Sequence, residues 1–147
     1  MIKRIRFVRM RDHLSPEAFQ MAWLKLVGLA YSAPARARPE RVVACIALNH
    51  VGGTVTPHDG MSMEWFEDIA ALQGFEAWWE AHETLAACVV EPSSSIVIRA
   101  EEVIMRGADW LERRWRQPGV KLKHMALARR AYALDPAEFS ARWRARA

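Results

Sequence analysis

The chain of 147 residues carries a formal net charge of +4, and 52% of its residues are hydrophobic, including seven tryptophans. That length holds one domain, or one domain and part of another, with enough apolar mass to bury a core. No run approaches the roughly 20 apolar residues that span a bilayer, and the opening MIKRIRFVRMR lacks the apolar centre of a signal peptide, so a soluble cytoplasmic protein is expected.

Ile2 to Arg11 has apolar Ile5 and Phe7 on one parity and Val8 and Met10 on the other, with charges on both, and predicts a strand buried on one face and partly enclosed on the other. The parity of Ile5 and Phe7 is expected under the helices, and Arg4, Arg6, Val8 and Met10 on the opposite face. Ser15-Pro16 opens a helix that runs to about Tyr31, because serine caps an orphan amide and proline at the first helical position loses no hydrogen bond. Its stripe of Phe19, Trp23, Leu26 and Ala30 should cover the sheet. Pro34 and Pro39 make Ser32 to Glu40 a loop.

Arg41 to Val51 is β-branched enough for a second strand, Gly52 to Gly60 supplies turn residues, and Met61 to Phe66 forms a third strand, together a long hairpin. Met61, Met63 and Trp65 share one parity of that third strand. Glu67 and Asp68 then favour the positive end of a helix to about His82, with Ile69, Leu72, Phe75, Trp78 and Trp79 as its apolar residues. Glu83 to Ser95 reads as a connection, and Ile96 to Met105 as a fourth strand.

The order βαββαβ defines an α+β, ferredoxin-like domain with an antiparallel sheet and helices on one face. Its other face would carry Met61, Met63 and Trp65 into water, so a second sheet should cover it, and a homodimer is expected. The domain spans 1–106, with a linker at 107–119 that holds a short helix and a Pro118-Gly119 turn.

Residues 120–147 then reopen the chain. KRIRFVRMRDHLSPEAFQMAW at Lys3–Trp23 returns ungapped as KHMALARRAYALDPAEFSARW at Lys123–Trp143. Lys3/Lys123, Arg9/Arg129, Leu14/Leu134, Pro16/Pro136, Phe19/Phe139 and Trp23/Trp143 are identical, and Ser15/Asp135 exchange one helix cap for another. The two copies should therefore adopt one local structure, the second being a partial repeat that adds an extra β-α unit to its own sheet or a partner's.

Ile2 to Phe19 with Trp23, Asn49-His50, Asp59-Gly60 followed by Trp65-Phe66, and the helix after them resemble the EthD family of small dimeric α/β-barrel proteins. The resemblance covers about residues 2–105. It implies two sheets paired face to face around a small apolar cavity, and activity on ethers and other small organic molecules, or cofactor-independent oxidation or lyase chemistry on aromatic compounds. Family members often carry a histidine four residues after the helix tryptophan. Val27 and Ala147 stand at those positions here, so any mechanism that needs that imidazole is absent.

For proton transfer, His50 is the first candidate, since it ends a strand and matches the family's Asn-His pair; a plain hydrogen-bonded histidine at a strand end also explains it. Asp59 is a candidate orienting carboxylate, although Asp-Gly is first a turn signal. His58 reads as a solvent-exposed turn residue, and His13, His82 and His124 as structural. Arg6, on the face opposite the helices, would hold a carboxylate or phenolate, or else join ion pairs. Trp23, Met61, Met63 and Trp65 would line the apolar wall, a role that plain interface packing also satisfies.

Cys45 and Cys88 lie in apolar stretches and read as buried thiols. No residues have metal-ligand spacing and no glycine loop could cradle a phosphate, so neither a metal nor a cofactor is expected. The basic excess at the two chain ends lacks the stacking aromatics of an RNA-recognition sheet, which argues against nucleic acid. The expected partner is a small hydrophobic molecule. Turnover, carriage without turnover, and a structural assembly role are the three readings.

Overall fold

The chain begins in a strand with two arginines on one parity, and that parity points inward. The computed structural model describes residues 1–48, 56–102, 107–119, 121 and 130–146. They fall in two compact units, Met1–Glu102 and Val103–Ala147.

In the first unit, β1 (Ile2–Val8), β2 (Arg41–Ile46), β3 (Gly60–Phe66) and β4 (Ile96–Glu101) form one four-stranded sheet in the order β2-β3-β1-β4, with every pairing antiparallel. Two helices, α1 (Pro16–Gly28) and α2 (Ile69–Glu80), each follow a strand, which gives the expected ferredoxin-like order. Ser15 Oγ accepts from the Ala18 amide at 3.2 Å and Asp68 Oδ1 from the Ala71 amide at 2.8 Å, so each helix starts where a short polar side chain satisfies an orphan donor.

Phe19, Trp23, Leu26 and Ala30 are all buried, as their spacing requires, and meet Val8, Phe66, Leu72, Phe75 and Trp79 in one core. The first residue of β3, Gly60, approaches α1 closely. A Cβ built there would lie 3.0 Å from Phe19 Cζ and 3.1 Å from Trp23 Nε1. The indole N–H of Trp23 donates to the Cys45 carbonyl at 3.2 Å, so Trp23 is a core residue of the helix side and not part of a wall on the other face.

Register shows that the expected facing of β1 is reversed. Arg4 pairs with Glu64, Arg6 with Ser62 and Val8 with Gly60, and this set, together with Phe66, lies under the helices. Ile5, Phe7, Met61, Met63 and Trp65 occupy the opposite face. The expectation placed charge away from the core; in the folded chain the arginines find partners inside it.

Between α2 and β4, where a plain connection was expected, a short helix α3 (Glu83–Ala87) precedes a 3-10 turn at Pro92–Ser94. Leu85, Ala86 and Ala87 are good helix formers, but five residues are too few to show a periodic stripe. Cys88, just beyond α3, is exposed rather than buried.

In the second unit, α4 (Ala108–Arg116) and α5 (Pro136–Arg146) are helical. The repeat is visible bond by bond. Leu14 N donates to Arg11 O and Leu134 N to Ala131 O, each at 3.0 Å, while Phe19 N and Phe139 N donate to the cap carbonyls of Ser15 and Asp135 at 2.8 and 2.9 Å. Phe19–Trp23 and Phe139–Trp143 ring centroids stand 6.0 and 5.9 Å apart. Trp143, however, is 50% exposed where Trp23 is 1%. The second-copy strand, with His124, falls outside the described residues.

No described helix is long and apolar enough to cross a membrane. Substituting Gly60 by alanine should cost about 1–3 kcal/mol, because two aromatic rings must give way to one methyl group, and valine should cost more. The midpoint and slope of urea unfolding would show it, and an unchanged midpoint for both variants would contradict the packing at this point.

Candidate functional site

The face turned away from α1 and α2 is apolar along its length. Across the central strands Ile5, Phe7, Met63 and Trp65 lie side by side, and within the single chain Met63 and Trp65 are 0% and 1% exposed. At the outer strand β4 the burial ends, and Ile96 is 48% exposed.

One end of this face is ringed by charge. Trp65 Nε1 donates to Glu102 Oε2 at 2.7 Å, Lys3 Nζ bonds the other carboxylate oxygen, and the Lys3 and Arg41 cations stand 4.5 and 5.5 Å from the Trp65 ring. Burial alone would raise the Glu102 carboxyl pKa. The hydrogen bonds from Lys3 and Trp65, with the charges of Lys3 and Arg41, outweigh it and hold the group below the usual carboxylate range.

The candidate acid/base groups are only partly in view. His50, with Asn49, lies outside the described residues. Asp59 is committed to the backbone: its Oδ2 accepts from Met10 N at 2.9 Å, its amide donates to Val8 O and its carbonyl accepts from Ala47 N. It clips the end of β1 to the hairpin and orients no histidine among the described residues. His58, expected in solvent, is half-buried, with its ring 5.2 Å from Phe7 and a buried Nδ1 that has no hydrogen-bond partner among the described residues. Sequence offered no sign of this, because Pro57-His58-Asp59-Gly60 reads only as a turn.

Arg6 belongs to the other side. Between the sheet and α2 lies a charged layer in which Arg4, 4% exposed, donates to Glu64, 3% exposed, at 2.9 Å. Glu76 of α2 completes the layer, 3.9 Å from Arg4 and bonded in a fork by Arg99 at 2.8 and 2.9 Å. The guanidinium carbons of Arg4 and Arg6 stand 5.8 and 5.6 Å from the Trp79 ring centroid, close enough for cation–π attraction. A cavity of about 400 Å³ opens beside Arg6, lined also by α3 and by Val90, Pro92 and Ser95.

Thus Met61, Met63 and Trp65 share one face, while Arg6 and Trp23 sit across the sheet from them. Among the described residues, no group of three or more His, Cys, Asp or Glu side chains could hold a metal ion.

No family model and no curated protein matches the chain. Among solved structures, a protein of Arabidopsis thaliana superposes with a TM-score of 0.54 at 14% identity, covering 71% of this chain and 97% of its own. A dimeric ferredoxin-like protein of unknown function from Thermobifida fusca gives 0.50 at 11% identity, over 67% of this chain and 88% of its own. An EthD family protein of Bacillus halodurans aligns at 13% identity over 70% of this chain and 99% of its own, with a TM-score of 0.49. The chain is a ferredoxin-like α+β protein.

Two outcomes follow from the charged groups. Glu64→Gln strands a buried Arg4 and should cost about 3–5 kcal/mol in equilibrium unfolding at neutral pH; a loss under about 1 kcal/mol would show that Arg4 is satisfied elsewhere. Glu102 has a folded pKa below its unfolded value, so its contribution is present above the unfolded pKa and is lost as pH falls through the folded one. Glu102→Gln should therefore lower stability at pH 7 and flatten its acid dependence, which thermal melts from pH 7 to 3 would reveal.

Proposed function

We propose that the chain is a distant EthD-like protein of the cytoplasm that encloses a small hydrophobic or aromatic molecule against the Phe7, Met61, Met63 and Trp65 face. The observation that carries this reading is the sheet itself: helices lie on one side, and the other is an almost unbroken apolar layer, buried at Ile5, Phe7, Met63 and Trp65 within the single chain and exposed at Ile96 on the edge strand, with a charged collar at Trp65. A second copy of the chain packs on that side where it stays exposed, around Ile96 of the edge strand, and residues 120–147 form a partial second repeat. The dimeric state described for the Thermobifida fusca protein supports the pairing.

Chemistry on the enclosed molecule is proton transfer of lyase type without a cofactor, or oxidation of the deprotonated molecule with dioxygen as the electron acceptor. His58 joins His50 as a candidate for it, because its imidazole stands beside Phe7 with one nitrogen unbonded among the described residues. Asp59 supports the hairpin instead of reacting.

Light scattering on the full chain should give a dimer, and Ile98→Asp, on the apolar face of the edge strand, should give a folded monomer. Naphthalene binding, followed by tryptophan fluorescence, should weaken at least tenfold in that variant. A monomeric parent, or naphthalene binding unchanged by Ile98→Asp, would sink the reading. For turnover of any substrate found in a panel of small aromatics, His50→Ala and His58→Ala assign the imidazole by which of them abolishes conversion.

A further inference from the structure

We infer that the cavity beside Arg6, on the helix side of the sheet, is a binding site for a small organic carboxylate. The site lies within the first unit and uses neither the apolar face nor a second copy.

The starting point is an imbalance between neighbouring rows of the sheet. Arg4 has Glu64 directly opposite it in register. Arg6, one row along, has Ser62 opposite on one strand and Val97 on the other. It is 7% exposed and forms no ion pair within 4 Å among the described residues. Its Nη2 reaches only Ser95 Oγ, at a long 3.4 Å, and its Nη1 is buried without any hydrogen-bond partner.

A buried guanidinium with donors unused is costly, and chains tolerate it where something supplies the missing acceptor. Burial, with the charge of Arg4 beside it, lowers the Arg6 pKa to about 10, so the group still carries its charge at neutral pH. The nearest compensation is weak: Glu64 belongs to Arg4, and Glu83 is an exposed residue among those lining the cavity.

The cavity is where the missing acceptor fits. Its volume of about 400 Å³ lies within the range of small-ligand pockets. Arg6 and the Ser95 hydroxyl furnish donors, Thr84 a further hydroxyl, and Ala86, Ala87, Val90 and Pro92 an apolar wall. A lone cation with a hydroxyl, beside the exposed carboxylate of Glu83, suits at most a single negative charge carried on an apolar body. Phosphate groups need more: among the described residues no second cation lines the cavity, and Glu83 would repel a doubly charged group. The carboxylate would accept from the Ser95 hydroxyl and from the Arg6 guanidinium, which must turn toward the cavity because its Nη1 is closed to solvent as it stands, with the hydrocarbon part against Val90 and the alanines.

Calorimetric titration of the full chain with benzoate, and with benzyl alcohol as its neutral counterpart, tests the site. The parent should bind benzoate saturably and at least tenfold more tightly than benzyl alcohol. Arg6→Met should remove that preference. Ala87→Phe, which fills the cavity while leaving Arg6 in place, should weaken benzoate at least tenfold, and it decides the matter alone if Arg6→Met does not fold. No preference for benzoate in the parent, or parent-like binding by a folded Ala87→Phe chain, overturns the inference. The titration reads the same in a monomer as in a dimer, so its result is separate from that of the pairing experiment.

Discussion

The Arg4–Glu64 ion pair beneath α2 decides how this sheet is oriented. The side chains of Arg4 and Glu64, at 4% and 3% exposure, find partners because the register of β1 and β3 sets them opposite one another, with Glu76 and the rings of Phe75 and Trp79 beside Arg4. Side chains alternate along a strand, so fixing Arg4 inward fixes Ile5, Phe7, Met63 and Trp65 outward on the opposite face. The apolar side of the sheet is thus a consequence of where the charge was buried. A buried pair of this kind contributes little net stability against an apolar replacement, yet it forbids the alternative facing.

That orientation separates two kinds of site. The outer face offers apolar contact and a half-buried imidazole, with charge only at the Trp65 end. The inner side, next to α3, offers a cation short of acceptors and a cavity of its own. Chemistry that joins Arg6 with Met61, Met63 and Trp65 around one ligand is excluded by the sheet lying between them.

The repeated segment shows how far local sequence goes. Ser15 and Asp135 cap their helices with matching backbone bonds, and Phe-x-x-x-Trp places its two rings at nearly the same separation in both copies. These features need only a cap, a proline and helical spacing. Burial does not repeat: Trp23 has Gly60 and the Cys45 carbonyl to pack on, and Trp143 stays half exposed.

The sequence by itself determined the four strands, the two covering helices and their order, because caps, prolines and apolar periods are local: Ser15 sets the start of α1, and the stripe Phe19, Trp23, Leu26, Ala30 was legible before any contact was known. It also sufficed to place Met61, Met63 and Trp65 on the face away from the helices. Only tertiary structure decided the facing of β1, since alternation gives two parities and the partners of Arg4 lie on β3 and on α2, 60 or more residues away in the chain. The same holds for Asp59 as a clip, for His58 against Phe7 and for the cavity at Arg6. Each depends on what another segment brings to the residue, and no periodicity within a strand or turn records that.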